Sequence, residues 1–180
     1  NVAGSSIARE SDQVLYTWAG PEIAVATTKA YTTQLAVMNL LGLYMSRVLG
    51  SMAVEDRRAV LEDFRTLPEK LERVLENREA VQYFASQYFN RDSVFYIGRN
   101  IDYALGLEGS LKLKEISYVH SEAYASGELK HGTISLIEEG SLVVALGTCL
   151  RLFDKTMSNI AEVKSRGGDV LALTCESRAE

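Results

Sequence analysis

The sequence predicts an α/β fold in which parallel sheets are flanked by helices, built as two incomplete halves. Two observations indicate this fold. Continuous apolar runs, which suit strands buried on both faces, alternate with helical segments over residues 93–175. Residues 1–50 resemble part of a similar α/β unit, and the charged segment 55–89 is expected to join the two as helices.

The first elements follow from turn residues and apolar spacing. DQVLYTW, residues 12–18, predicts a short buried strand that ends before Gly20-Pro21. Apolar residues then recur at three- to four-residue steps from about Thr27 to Leu49 and predict a helix. Thr27 or Thr28 is the expected cap, and Gly50 the expected end.

One apolar stripe runs through the charged residues 55–89 and predicts two amphipathic helices. Pro68 is expected near the start or kink of the second helix, and Asn77 near the break between them.

Three strands are predicted in the second half, each bounded by a turn or a helix. They are SVFYIG followed by Arg99 and Asn100, SLVVALGTC (141–149) and DVLALTC (169–175), with helices from about Asp102 and over 152–165. In parallel sheets ligands bind beyond the carboxyl ends of the strands. Gly98, Arg99 and Asn100 are therefore expected on the ligand side.

Composition limits the function classes. The chain has 180 residues, 47% of them hydrophobic and 24% charged, as in globular proteins, and a formal net charge of −5 that argues against a nucleic-acid partner. Two separated cysteines, Cys149 and Cys175, favour a reducing, cytoplasmic setting. No apolar run is long enough to span a membrane. The start without Met and the stop soon after a strand suggest a fragment.

Three charges lie close together on the predicted helix that begins near Asp102. On a helical wheel with Glu108 at zero, Lys112 falls at about 40° and Glu115 at about −20°. They form either an exposed i,i+4 ion pair or an acid/base site. Their neighbours on the wheel are apolar and include Leu105 and Ile116. This predicts that the three charged groups are partly withdrawn from water, so that they are paired with one another or have perturbed pKa values.

Histidine and cysteine offer weaker candidates. His131, between Lys130 and Gly132, is either a proton shuttle or a hydrogen-bonded loop residue. His120 is expected at a helix C-terminus as a cation favoured by the macrodipole. The two histidines lack metal-ligand spacing, and neither cysteine has a histidine near it in sequence. AGSSIARES and GRNIDYALGLEG are candidate phosphate turns that match neither a Walker loop nor a GxGxxG fingerprint.

LEGSLKLKEISYVHSEAYASGELKHG resembles the signature of the sugar isomerase (SIS) domains of the glutamine:fructose-6-phosphate aminotransferase family. GSSIARESD, AGPEIAVATTKAYTTQL and NIAEVKSRGG extend the resemblance over essentially the whole chain. It implies that residues 1–75 are the end of a first SIS half and 76–180 most of a second. It also implies a cytoplasmic homodimer that needs no cofactor. The implied reaction makes glucosamine 6-phosphate from fructose 6-phosphate and glutamine.

The resemblance assigns roles to particular residues. Glu115 matches the base that moves a proton between C1 and C2 of the sugar, and His131 the group that opens the sugar ring in the neighbouring subunit. Lys112 and Glu108 match charged residues that line the same site. Val25, through its backbone, and Thr27, where many relatives have serine, match positions that contact the substrate.

Other parts of the family pattern fall outside these residues. The phosphate loop of the first half, the Schiff-base lysine and the glutaminase cysteine are absent, so the fragment by itself is expected to be inactive. Two alternatives remain: an SIS deglycase acting on fructosamine phosphates, and a non-catalytic SIS module that senses a sugar phosphate.

Overall fold

The computed structural model describes residues 3–175 and residue 177. The chain divides into two compact units, Asn1–Val81 and Gln82–Glu180.

The first unit is helical where it has regular structure. It contains α1 (Ser6–Glu10), α2 (Lys29–Leu49), α3 (Val54–Leu75) and the start of α4 (Arg78–Tyr88). The predicted helix over 27–49 is confirmed as α2, and Gly50 ends it in the left-handed conformation, with φ of 62° and its N–H bonded to the carbonyl of Ser46. Thr28 stands at the N-cap without a side-chain cap bond.

Two predictions in this unit are wrong. Residues 12–18 form no strand, and Leu15 and Trp18 are 68% and 90% exposed. A strand requires a partner for its backbone groups, and no described strand pairs with this segment. Pro68 lies inside α3 rather than at the start of the next helix, because the apolar spacing continues on both sides of it. The break at Asn77, between α3 and α4, is confirmed.

The second unit is a parallel sheet with helices, as predicted. Its four described strands are in the order β2-β1-β3-β4. The elements are β1 (Ser93–Gly98), α5 (Ile101–Ser117), β2 (His120–Ala125), β3 (Leu142–Gly147), α6 (Phe153–Ser165) and β4 (Asp169–Thr174). The three predicted strands correspond to β1, β3 and β4, and the two predicted helices to α5 and α6.

Strand β2 was not predicted, and His120 was wrongly placed in the preceding helix. Helix α5 ends at Ser117, and Tyr118 takes a left-handed conformation with φ of 61°. His120 instead opens β2, with Nε2 3.6 Å from Oε1 of Glu122. The segment HSEAYA has little intrinsic strand preference, and its parallel pairing with β1 determines its conformation.

The sheet is covered on both faces, as parallel sheets require. One buried cluster contains Phe95, Ile97 and Val143, together with Val163 of α6. On the other face, Val94, Leu142 and Val144 pack against partly buried residues that include Leu113 of α5. Because the four described strands all pair in parallel, their carboxyl ends lie at one edge of the sheet. Gly98, Arg99 and Asn100 are at that edge, at the end of β1 and directly after it, as expected.

Candidate active site

Helix α5 packs on the sheet through small residues. A Cβ on Gly109 would lie 3.0 Å from Cε1 of Tyr96. Ser110 is buried, and its Oγ lies 2.9 Å from Oγ of Ser121 in β2. Gly106 is buried on the same face. Residues on the opposite face of α5 therefore point away from the sheet.

Glu108, Lys112 and Glu115 share that opposite face. Their side chains are only 22%, 20% and 26% exposed, which confirms that they are partly withdrawn from water. Leu105 and Ile116, beside them, are 36% and 66% exposed. The apolar sector of the wheel is thus the outer face of α5, and the sheet-facing side consists mainly of glycine and serine.

Lys112 binds both glutamates. Its Nζ lies 2.5 Å from Oε2 of Glu115 and 3.5 Å from Oε1 of Glu108. The hydrogen bond to Glu115 raises the pKa of Lys112 above its ordinary value, burial opposes this shift, and the charges of Glu115 and Glu108 add to it. The ammonium therefore stays charged at neutral pH. The expected i,i+4 pair with Glu108 exists, but the contact with Glu115 is the shorter one.

This arrangement suits proton transfer. A general base needs a positioned carboxylate with an oxygen open to the substrate. Lys112 holds Oε2 of Glu115, while Oε1 accepts no hydrogen bond from the part of the chain that the structure describes. One cation shared by two carboxylates also leaves the site with a net negative charge.

His131 lies in a separate segment of the second unit. It ends a short 3₁₀ turn, Leu129–His131, and its N–H donates to the carbonyl of Glu128 at 2.9 Å. Leu129 is fully buried, whereas His131 is exposed. Its imidazole makes no hydrogen bond or ion pair with any described residue, so the structure does not bring it to the charges on α5.

Val25 and Thr27 belong to the first unit. They lie in the irregular segment that precedes α2, where Val25 is 88% exposed and Thr27 is half-buried. Glu22 accepts a hydrogen bond from the backbone N–H of Ala30 at 3.4 Å, which links this segment to the first turn of α2. The backbone groups of Val25 make no hydrogen bond with any residue that the structure describes.

The turn after β1 contains an interaction that the sequence did not reveal. Nε and Nη2 of Arg99 donate to Oδ1 of Asn159 in α6, at 3.1 and 2.8 Å. Asn159 is 4% exposed. Asn100, the next residue, has φ of 56° and ψ of −122°, a conformation that residues other than glycine rarely adopt.

Asp102 was also missed as a structural residue. It is 1% exposed, and its Oδ2 accepts hydrogen bonds from the N–H groups of Thr148 and Cys149 at 3.0 and 3.1 Å. The hydroxyl of Thr148 donates to Oδ1. An acid in the first turn of a helix is a visible sequence signal, but its partners lie 46 and 47 residues away.

The remaining sequence candidates have simple structural positions. The AGSSIARES turn leads into the five-residue helix α1, where Oγ of Ser5 accepts from the N–H of Ala8 at 3.4 Å. Cys149 and Cys175 are free thiols. Among residues 3–175 and 177, no group of three His, Cys, Asp or Glu side chains lies close enough to hold a metal ion. None of the described helices combines the length and apolarity needed to cross a membrane.

Sequence comparison matches the chain to the SIS domain family over residues 1–44 and 87–179. Glutamine--fructose-6-phosphate aminotransferase [isomerizing] from Clostridium acetobutylicum is 57% identical over 178 residues, 99% of this chain and 29% of that protein. The protein of the same name from Caldanaerobacter subterraneus subsp. tengcongensis is 57% identical over 172 residues, 96% of this chain and 28% of its own length. The chain therefore spans less than a third of these relatives.

Comparison with solved structures also finds proteins of the aminotransferase family and of the same fold. The C-terminal domain of glucosamine-fructose-6-phosphate aminotransferase from Francisella tularensis superposes with a TM-score of 0.95 at 36% identity, covering 98% of this chain and 50% of that one. A glucosamine-6-phosphate deaminase from Thermotoga maritima, at 23% identity and a TM-score of 0.68, shares the fold.

Proposed function

The chain belongs to the SIS domain family, and on that premise we propose that it forms part of the sugar-isomerising domain of a glutamine:fructose-6-phosphate aminotransferase. The whole protein would convert fructose 6-phosphate and glutamine to glucosamine 6-phosphate. The cluster of Glu108, Lys112 and Glu115 supports this proposal most directly, because it offers a positioned carboxylate on a partly covered helix face.

Glu115 is the proposed base. The isomerisation moves a proton from C1 of the imine formed with fructose 6-phosphate to C2, which requires one group to accept the proton and return it. Oε1 of Glu115 is free for this step within the described residues, while Lys112 fixes Oε2. Glu108 binds the same ammonium from the other side. Glu108 is therefore proposed to help hold the ammonium of Lys112 in place beside Glu115.

His131 is the proposed ring-opening group. Fructose 6-phosphate is mostly cyclic, and opening its ring requires proton transfers that an imidazole can perform near neutral pH. The exposure of His131, and the absence of a side-chain partner among the described residues, suit an imidazole that acts in the site of a neighbouring subunit. We therefore propose a homodimer in which the two subunits exchange this residue.

The backbone of Val25 and the hydroxyl of Thr27 are proposed to bind the sugar phosphate. A cytoplasmic location accords with the two free thiols.

Substitution of the base in the full-length protein tests the proposal. Glu115→Gln keeps the shape of the side chain and removes its ability to accept a proton. Synthesis of glucosamine 6-phosphate is expected to fall by roughly 100-fold or more, while glutamine hydrolysis, measured as glutamate release, continues. Near-normal synthesis by this variant would exclude Glu115 as the base.

A further inference from the structure

We propose that Arg99 is a positioning residue for His131, an inference that rests on the ring-opening role proposed above. Arg99 lies at the carboxyl end of β1, and His131 lies six residues beyond the carboxyl end of β2. Three sets of contacts connect them.

The first set fixes the guanidinium. Nε and Nη2 of Arg99 donate to the same oxygen, Oδ1 of Asn159, at 3.1 and 2.8 Å. Asn159 is itself buried, and its Nδ2 donates to Oε2 of Glu162 at 3.2 Å. The planar group of Arg99 is thus held between the sheet and α6 in one orientation. A lysine has neither the fork of donors nor the plane.

In the second set of contacts, the turn that follows β2 packs against the guanidinium of Arg99. A Cβ added to Gly127 would lie 3.2, 3.4 and 3.5 Å from Nη1, Nη2 and Cζ of Arg99. All three nearest atoms belong to the guanidinium, so the backbone at Gly127 packs directly against it. The N–H of Ser126 also donates to the carbonyl of Gly98 at 2.8 Å, beside Arg99.

The third set continues from Gly127 to His131 through consecutive tight turns. The N–H of Glu128 donates to the carbonyl of Ala125 at 2.8 Å, and the N–H of His131 donates to the carbonyl of Glu128 at 2.9 Å. Leu129 between them is fully buried. The five residues from Gly127 to His131 therefore have little freedom between the surface of Arg99 and the backbone of His131. A shift of the guanidinium is therefore expected to shift the backbone at His131, which carries the imidazole.

The experiment separates positioning from general support of the fold by the choice of substrate. 5-Deoxyfructose 6-phosphate lacks the hydroxyl that closes the furanose ring, so it needs no ring opening but still needs the base. In the full-length protein, His131→Ala and Arg99→Lys are expected to lower kcat on fructose 6-phosphate by roughly 10- to 100-fold. Both variants should stay near wild type on the open-chain substrate.

Arg91→Lys is the matched control. Arg91 lies at the opposite, amino end of β1, and its Nη1 would lie 3.0 Å from a Cβ on Gly140, a contact like that between Arg99 and Gly127. The same substitution there should leave the ratio of the two activities unchanged. Suppose that His131→Ala lowers activity on fructose 6-phosphate only. Equal losses on both substrates in Arg99→Lys, or no loss on either, would then overturn the positioning role of Arg99 and leave the ring-opening role of His131 intact. If His131→Ala does not discriminate, the ring-opening role fails, and the positioning role of Arg99 with it.

A double-mutant cycle on fructose 6-phosphate gives an independent measurement. Gly127→Ala alone should lower kcat, because its methyl group meets the guanidinium. In an Arg99→Ala background the same substitution should cost at most about 2-fold, because the opposing group is gone. Losses that multiply without coupling would contradict the proposed contact.

Discussion

Nζ of Lys112 lies 2.5 Å from Oε2 of Glu115, one helical turn away on a face of α5 that points away from the sheet. The same ammonium is 3.5 Å from Oε1 of Glu108. One cation therefore restrains the orientation of the proposed base and joins it to a second carboxylate. An exposed pair at i,i+4 contributes only a few tenths of a kcal/mol, but here all three side chains are about three-quarters covered.

Lys112→Met is expected to slow synthesis of glucosamine 6-phosphate by about 100-fold in the full-length protein, because Glu115 loses the donor that positions it. Glu108→Gln should have a smaller effect, since its contact with Lys112 is longer. Steady-state assays of both variants measure the difference. Lys114→Met is the control, because Lys114 is exposed on the same helix. An equal loss in the Lys114 variant would indicate a general effect of charge.

Mixed dimers test whether His131 acts across subunits. Glu115→Gln and His131→Ala homodimers should each lose most of their synthetic activity. If each site takes its base from one subunit and its histidine from the other, a heterodimer contains one intact site and one doubly defective site. Mixing the variants under conditions that exchange subunits should then restore up to about a quarter of wild-type activity, since half of randomly formed dimers are mixed. Absence of any restoration, with exchange verified by differently tagged subunits, would count against sharing.

Apolar composition determined which strands could be predicted. Strands β1 and β3 are buried on both faces, and their continuous apolar runs, VFYI in β1 and LVVAL in β3, show it directly. Strand β2 contains Ser121, Glu122 and two alanines. Its conformation depends on pairing with β1, and that pairing leaves no local pattern in the sequence.

In the candidate site, too, the sequence predicted local spacing but not tertiary contacts. The wheel grouped Glu108, Lys112 and Glu115 correctly because helical spacing is local. It could not identify the sheet-facing side of α5, since Gly109 and Ser110 fit that surface by being small and give no hydrophobic signal. The pairing of Arg99 with Asn159 spans 60 residues, so it depends on the tertiary fold.

Asp102→Ala is expected to destabilise the protein by about 2 to 4 kcal/mol, because two N–H groups and a hydroxyl lose the buried carboxylate that accepts their hydrogen bonds. Asp102→Asn should cost less, since the amide keeps one accepting oxygen. Thermal and denaturant unfolding of the full-length protein measure both effects. Asp154→Ala removes another first-turn acid, at the start of α6, but an exposed one. That control is expected to cost less than about 1 kcal/mol, and an equal loss at both positions would contradict the importance of the contacts made by Asp102.

Alkaline unfolding should depend on Tyr96, whose ring packs against Gly109. Burial raises the pKa of the Tyr96 phenol above its ordinary value, whereas the unfolded chain loses this proton near pH 10. Between these two values the folded state binds more protons than the unfolded state, so the free energy of unfolding falls as the pH rises. The raised pKa of Lys112, caused first by its hydrogen bond to Glu115, acts in the same direction. Its contribution is complete below the unfolded pKa near 10.4 and is lost as the pH rises through the folded value.

Tyr96→Phe should therefore reduce the fall in stability above about pH 10 without abolishing it, because Lys112 still titrates. Unfolding midpoints measured from pH 8 to 11 provide the comparison. Tyr118→Phe is the matched control, since it removes the same hydroxyl from a side chain that is 91% exposed. If Tyr96→Phe and wild type lose stability in parallel over this range, the half-buried phenol of Tyr96 does not contribute to alkaline unfolding.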